Sequence, residues 1–167
     1  MRSSAMKRLN PLELMVDLPK LFVRQTIQPL RLSFRKPLTQ PETQADLAKL
    51  VDHALAHEIR AGFTHRFITL LFVTVDERVF CRRYQYTEPS WHGVFLNDPA
   101  GQVKLDKTVV TINAHVPNDL ASILPAIDAA YAGKLEQLGA RFLLDGAIEP
   151  RAQQSTLELK LARKISG

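Results

Sequence analysis

The clearest pattern in the chain lies at residues 66–84, RFITLLFVTVDERVFCRRY: an apolar stretch, an acidic break, and a return stretch ending in polar residues. β-Branched and aromatic side chains dominate Phe67 to Val75, which predicts a strand. Asp76-Glu77 turns the chain, and Arg78 to Tyr84 comes back as the second arm of a hairpin. No glycine stands in that turn, which favours a hairpin loop of more than two residues. Upstream, Thr39 can cap and Pro41 can open a helix. Leu47, Leu50, Val51, Ala54, Leu55 and Ile59 then fall on one face, and Gly62 closes the element. Gln44, Asp46, Lys49, Asp52, His53 and Glu58 take the other face, so this helix covers a core.

Gln85 to Ser90 reads as a polar loop, WHGVF (91–95) as a short helical turn, and NDPAG (97–101) as a strong turn signal. Gln102–Leu105 and Thr108–His115 form a second hairpin about Asp106-Lys107. Pro117 and Asp119 open another helical stretch, which Pro125 is expected to break or restart. Ile127, Ala130, Tyr131, Leu135 and Leu138 keep one-face spacing up to Gly139. Residues 140–154 look irregular or weakly helical. Thr156 to Ala162 sets Leu157, Leu159 and Leu161 against Glu158 and Lys160, a half-buried final strand. Strands that follow strands directly argue against a parallel α/β sheet. The order of helix, hairpin, hairpin, helix and strand predicts an α+β fold, mainly β, built as a small antiparallel barrel or strongly curled sheet.

A chain of 167 residues, 46 % of them hydrophobic, fits one domain with a real core. No apolar run reaches the roughly 18 residues of a membrane-spanning helix, and a cytoplasmic protein is expected. The single cysteine, Cys81, cannot form an internal disulfide, and its mid-strand apolar setting suits a buried, inert thiol. No paired Cys/His spacing points to zinc.

The net charge of +5 is unevenly placed: residues 1–38 hold eight Lys/Arg against Glu13 and Asp17, and the remaining 129 residues hold 14 basic and 15 acidic side chains. Pro11, Pro19, Pro29 and Pro37 bar a long helix from residues 11–38, leaving LFVRQTI (21–27) and LRLSF (30–34) as short edge strands. The chain therefore divides into a basic extension, 1–38, packed on a single domain, 39–167. The extension is a solvated or loosely docked arm, or one that touches phosphates or an anionic surface. Residues 1–8 hold Arg, Ser and Lys and no acid, as an organellar presequence does. Glu13, Asp17 and Pro19 interrupt the following apolar stretch, which argues against a secretory signal.

VDERVFCR (75–82), Ser90-Trp91, GQV (101–103), IDAAYAGK (127–134) and TLEL (156–159), in that order, resemble the bacterial domain-of-unknown-function family 2255. That family is similar to the split-barrel group of flavin- and deazaflavin-binding proteins related to pyridoxamine 5′-phosphate oxidase, and has no agreed reaction of its own. The resemblance implies a split β-barrel with a covering N-terminal helix and a helix inserted before the last strand. It also implies a homodimer that binds FMN, a deazaflavin or another flat anionic ligand at its interface, with redox activity of the oxidoreductase type. The cofactor-binding residues implied are Arg82, Trp91, Lys104, Lys107 and Lys134. The chain departs from the family pattern at Leu71, Glu77, Arg83 and Leu135. Those at Glu77, Arg83 and Leu135 motivate a second reading, a non-enzymatic binding or scaffold domain that keeps the barrel and has lost the cofactor site.

Each candidate has a plainer structural account. Arg82 suits a phosphate or carboxylate bidentately, or a structural ion pair with Asp128. Trp91 can stack on a flat ring, or plug the open end of the barrel. Asp128, Tyr131 and Lys134 recur every three residues on one helix, as a polar cluster or as a core tyrosine with a wet hydroxyl between two charges. His53 and His57 have the spacing of a helical metal pair, without a third ligand, so a solvated helix surface is the simpler account. His65, His92 and His115 sit near sheet ends. No Gly-rich phosphate loop and no GxSxG occur, which excludes the common routes to nucleotide and serine hydrolysis. Aromatics are not interleaved with the basic residues, which argues against nucleic-acid binding.

Overall fold

The computed structural model describes residues 39–163. The expected extension over 1–38 lies outside them. The first element is helix α1, Gln44–His53. Thr43, not Thr39, caps it: the Thr43 hydroxyl accepts the Asp46 N–H at 3.1 Å, and the Asp46 carboxylate accepts the Thr43 N–H at 3.0 Å. Hydrogen bonding with the Thr43 side chain, then with its N–H, holds the Asp46 carboxyl below its usual range.

The helix ends well before Gly62, because His57–Ala61 is a strand, β1, with His57, Ile59 and Ala61 buried. Ile59 fits both a helical stripe and a period of two, and the shorter period wins. His53 and His57 are therefore on different elements and form no helical pair. Asp106 fixes the connection by accepting the N–H groups of Leu55 and Ala56, both at 2.9 Å.

The single strand expected over Phe67–Val75 is two, β2 (Ile68–Thr69) and β3 (Phe72–Val75), interrupted at Leu70-Leu71. β3 turns into β4, Arg78–Cys81, through Asp76-Glu77 alone, since Val75 pairs with Arg78. Both turn residues have positive φ, 48° and 63°, so the loop is the two-residue type after all. Left-handed backbone, normally glycine's territory, is imposed here by the pairing of β3 with β4.

Helix α2, Trp91–Asn97, starts on Ser90, whose hydroxyl accepts the Gly93 N–H at 3.2 Å. Strands β5 (Ala100–Leu105) and β6 (Thr108–His115) form the second hairpin. Helix α3 then runs unbroken from Leu120 to Gln137. Pro125 removes one donor but does not stop the helix, because the exposed Ala121 carbonyl it leaves can meet water while Ile127, Tyr131 and Leu135 are buried. A 3₁₀ turn (Arg141–Leu143) and two short helices, α4 (Leu144–Ile148) and α5 (Pro150–Gln154), lead to the last strand, β7, Leu157–Leu161.

All seven strands lie in one sheet of order β2-β1-β5-β6-β7-β4-β3, antiparallel throughout. The fold is thus α+β, as the pattern predicts. The two edges of this sheet, β2 and β3, are consecutive in the chain. From Thr69 to Phe72 a chain reaches at most roughly 10 Å. The sheet must therefore curl until its edges nearly meet, and Leu70-Leu71 is the link.

Side chains close the split between the edges. His57 Nδ1 accepts the Phe72 N–H at 3.2 Å, while its Nε2–H donates to the Val51 carbonyl of α1 at 2.9 Å. Its ring stacks on Phe72, with centroids 5.0 Å apart. Thr74 donates to Asp52 of α1 at 2.7 Å, and Tyr84 donates to the Thr69 carbonyl at 2.9 Å. Gln44 plays a similar part on β7, where β4 no longer pairs: its amide donates to Leu159 O at 3.0 Å and accepts the Leu161 N–H at 2.8 Å.

The core has two parts. Inside the curl, Leu47 and Val51 of α1 pack with Ile59, Phe72, Val79, Cys81, Val103, Leu105, Ile112, Leu157 and Leu159. Burial pushes the Cys81 thiol up, so it stays protonated. Outside the curl, Val73 and Phe80 meet Ile127, Tyr131 and Leu135 of α3, with Leu143 and Ala147 behind. Arg78 clamps α3 to the sheet through Glu158 and Asp119, at 2.8 to 2.9 Å. That clamp buries Glu158, which strand alternation alone places in solvent.

Gly101 is where α2 meets the sheet. A Cβ there would lie 2.5 Å from the Arg60 carbonyl and 2.6 Å from the Phe95 ring. Gly101→Ala is expected to cost about 2–3 kcal/mol, since overpacking against backbone cannot relax by a rotamer change. Thermal denaturation measures it; an unchanged melting temperature would mean that Phe95 does not rest on Gly101.

Candidate functional site

Arg82 follows directly on β4. Strand alternation sends Val79 and Cys81 inward and Phe80 and Arg82 toward the helical layer. The arginine is 3 % exposed. Its Nε donates to Thr156 Oγ1 at 3.0 Å, and its Nη1 donates to Asp128 at 2.6 Å and to the Ala147 carbonyl at 2.9 Å. Thr156 donates in turn to Gln153 O at 2.7 Å, and Gln153 Nε2 donates to the second Asp128 oxygen at 2.7 Å. Arg82, Asp128, Gln153 and Thr156 therefore close a ring of hydrogen bonds that ties the end of β4 to α3, α5 and the start of β7. The guanidinium also lies over the Tyr131 ring, 5.1 Å from its centroid. Of the three side-chain nitrogens of Arg82 only Nη2 is buried without an acceptor; among the described residues Arg83 Nη2 shares that state.

The hydroxyl of Tyr131, 3 % exposed, is not wet: it reaches the Leu71 carbonyl at 3.4 Å, and burial raises its pKa. Lys134 stands one turn further along α3, half-buried.

Trp91 opens α2 and is half-buried against the inner core, edge-on to Phe95 and to His92. It sits at the end of the curl that Gly101 marks. His92 is buried and donates to Ser155 O at 3.0 Å; burial, then the charge of Arg83, lowers its pKa. Ser155 and Thr156 are adjacent, so the backbones carrying Arg82 and Trp91 converge at the start of β7. Their side chains lie on opposite faces of the sheet.

Lys104 faces outward from β5 and pairs with Glu58 of β1 at 3.0 Å, its register partner. Lys107 is exposed at the tip of the β5–β6 turn. From Gly101 to Lys107 the strand covers roughly 20 Å, so Lys107 and Trp91 mark opposite ends of the curl. The structure brings Arg82 together with Asp128 and Tyr131, and leaves Trp91, Lys104 and Lys107 on separate surfaces.

Sequence reasoning missed a second polar cluster, around Arg83. This side chain turns the other way from Arg82, donates to Gln85 O at 3.0 Å and pairs with Glu88 at 3.0 Å. Its guanidinium and that of Arg151 both lie over Tyr86, at 5.4 and 3.8 Å. A bond from Ser90 and the pairing with Arg83 hold the Glu88 carboxyl below its usual range. The signal was Arg83 itself, a large cation at the end of an otherwise apolar strand. The seam histidine, His57, was hidden by its apparent helical spacing. A cleft of about 560 Å³ opens between the start of α1 and the ends of β6 and β7, lined by Gln40, Gln44, Val109 and Leu161 among others, and by no predicted site residue. Among the described residues no group of His, Cys, Asp and Glu could hold a metal ion, and no helix is long and apolar enough to cross a membrane.

Comparison with known families settles the kinship. The family model described as an uncharacterized protein conserved in bacteria (DUF2255) matches residues 43–159. The chain belongs to this family. The match begins at the cap of α1 and ends inside β7, so it takes in the helical layer and all of the curled sheet but the last two residues of β7. No curated protein matches the chain.

Proposed function

We propose that this DUF2255 chain is a non-enzymatic binding module, a split-barrel scaffold in which Arg82 joins the helical layer to the sheet and holds no ligand. The closed ring of Arg82, Asp128, Gln153 and Thr156 carries this reading. A flavin phosphate needs cations that converge on it. Here Nε and Nη1 of Arg82 are already bonded, and Nη2, which has no acceptor, is buried in a side chain only 3 % exposed, so a phosphate has no open approach to the guanidinium. Lys104 pairs with Glu58 on the outer face, and Lys107 projects from the far turn. The indole of Trp91 packs on the inner core, edge-on to Phe95. These residues do not fit a flavin, and no step of a redox reaction is assigned to them.

Titration of the full chain with FMN and with a deazaflavin, read by ligand fluorescence, tests this. The expected result is no saturable binding below about 100 µM, an affinity weaker than about 5.5 kcal/mol. Saturable binding in the low micromolar range, abolished by Arg82→Lys or Trp91→Phe at unchanged melting temperature, would overturn the reading.

A further inference from the structure

We propose that the seam between β2 and β3 is a gate: the curl opens there into its interior while the other strands stay paired, and acid opens it. The inference does not rest on the function proposed above. Every other junction of the sheet is a backbone ladder, with two residue pairs at β1–β2 and three to six elsewhere. β2 and β3 are its two edges and share no ladder. Side chains join them instead. His57 of β1 accepts the Phe72 N–H, Thr74 of β3 donates to Asp52 of α1, and Tyr84, beyond β4, donates to Thr69 O of β2. A junction held by a few side-chain bonds opens at lower cost than a ladder, so the sheet parts here first.

Behind the seam the inner face is layered. The His57 ring stacks on Phe72, and Phe72 is the register partner of Cys81 on β4. All three are buried. Opening therefore uncovers Phe72 and then Cys81, the single cysteine of the chain. The proton acts at His57. Its Nδ1 must be bare to accept from Phe72, and protonation sets a donor against a donor. Lys134, from α3, adds a positive charge that also disfavours the imidazolium. Asp106, from the β5–β6 turn, and the Val51 and Ala54 carbonyls, from α1 and its end, favour it, and burial outweighs them. Burial keeps Cys81 and Tyr131 protonated in the acid range. Asp52 is the carboxylate bonded to Thr74. An open seam returns His57 to water, so opening takes up a proton and is favoured as the pH falls from 6.5 toward 4.

Labelling of Cys81 in the native full chain with 4,4′-dithiodipyridine, a disulfide reagent that works in acid, tests the gate. Each rate is divided by that of the same chain unfolded in concentrated urea at the same pH. From pH 7.5 to 5 the corrected rate is expected to rise about 30-fold. In dilute urea it should hardly depend on urea, because a parted seam exposes little surface. His57→Gln should flatten the pH profile. Tyr84→Phe and Thr74→Val, milder changes, should each speed labelling about five-fold at pH 7.5, the worth of one hydrogen bond. A thiol that stays protected at pH 5, or a corrected rate that is flat with pH, overturns the proposal. So does a rate that climbs with urea at the full slope of global unfolding, since Cys81 is then reached only through the unfolded chain. Labelling that Tyr84→Phe and Thr74→Val both leave unchanged would place the opening elsewhere in the sheet, which also overturns it.

Discussion

Arg82→Ala is expected to lower the stability of the fold by about 3 kcal/mol, the lower end of the range for removing one partner of a buried ion pair. The lower end applies because the Asp128 side chain is 25 % exposed and keeps some access to water. The loss is more than one bond. Asp128 is left with Gln153 alone, Thr156 Oγ1 loses its donor, and the Ala147 carbonyl loses its own. For a chain of this size a loss of that order corresponds to roughly 6–12 °C in melting temperature. Arg82→Lys should recover little, because one ammonium cannot reach Thr156 and Asp128 in the forked geometry of a guanidinium. Asp128→Asn should cost less than Arg82→Ala, since the amide oxygen still accepts from Arg82. Hydrogen exchange should locate the damage in α3 to α5 before the sheet. An Arg82→Ala protein that melts like the wild type would remove the structural role assigned to this residue.

The second large effect is in pH. His57 is neutral in the fold: Nδ1 is an acceptor for Phe72 and Nε2–H a donor to Val51. Burial, then the positive charge of Lys134, lowers its pKa from 6.5 to about 4, with Asp106 and the Val51 carbonyl pulling the other way. The unfolded chain therefore binds more protons than the native one between those two values. Stability rises with pH through that window and is lost as the pH falls from 6.5 toward 4. At 1.36 kcal/mol per unit the full loss is about 3 kcal/mol. Protonation would also cost the seam its bond from Phe72, because an imidazolium has no acceptor. Urea midpoints of the wild type and of His57→Gln, measured from pH 4 to 7, separate this from carboxylate titration at lower pH. The wild-type curve should fall more steeply than that of the variant. Parallel curves would show that the acid sensitivity lies elsewhere.

How much of this was legible depends on how local each signal is. The hairpins at Asp76-Glu77 and Asp106-Lys107, the helix over IDAAYAGK and the final strand are set by neighbouring residues, and periodicity finds them. β1 was lost because five residues cannot display a period of two convincingly beside a real helix, and Ile59 served both patterns. Curling of the sheet was predicted as a class, but its cause is non-local: β2 and β3 are neighbours in sequence and opposite edges in space.

The site divides the same way. The family resemblance brought Arg82 into view as a candidate, and the spacing along α3 added Asp128 and Tyr131. Whether Arg82 faces a ligand or an ion pair depends on Gln153 and Thr156, which no motif links to it. Glu158 shows the limit of alternation, since its burial follows from Arg78 eighty residues away in sequence. Glu77 shows the limit of turn rules, since strand pairing forced its positive φ.

A double-mutant cycle on Arg82 and Asp128 puts the central claim to its hardest test, with stability read from urea denaturation of Arg82→Met, Asp128→Leu and the pair together. The predicted outcome is a coupling of about 2 kcal/mol or more, with the double variant more stable than the sum of the single losses implies. Losses that simply add, within about 0.5 kcal/mol, would contradict it and return Arg82 to the search for a ligand.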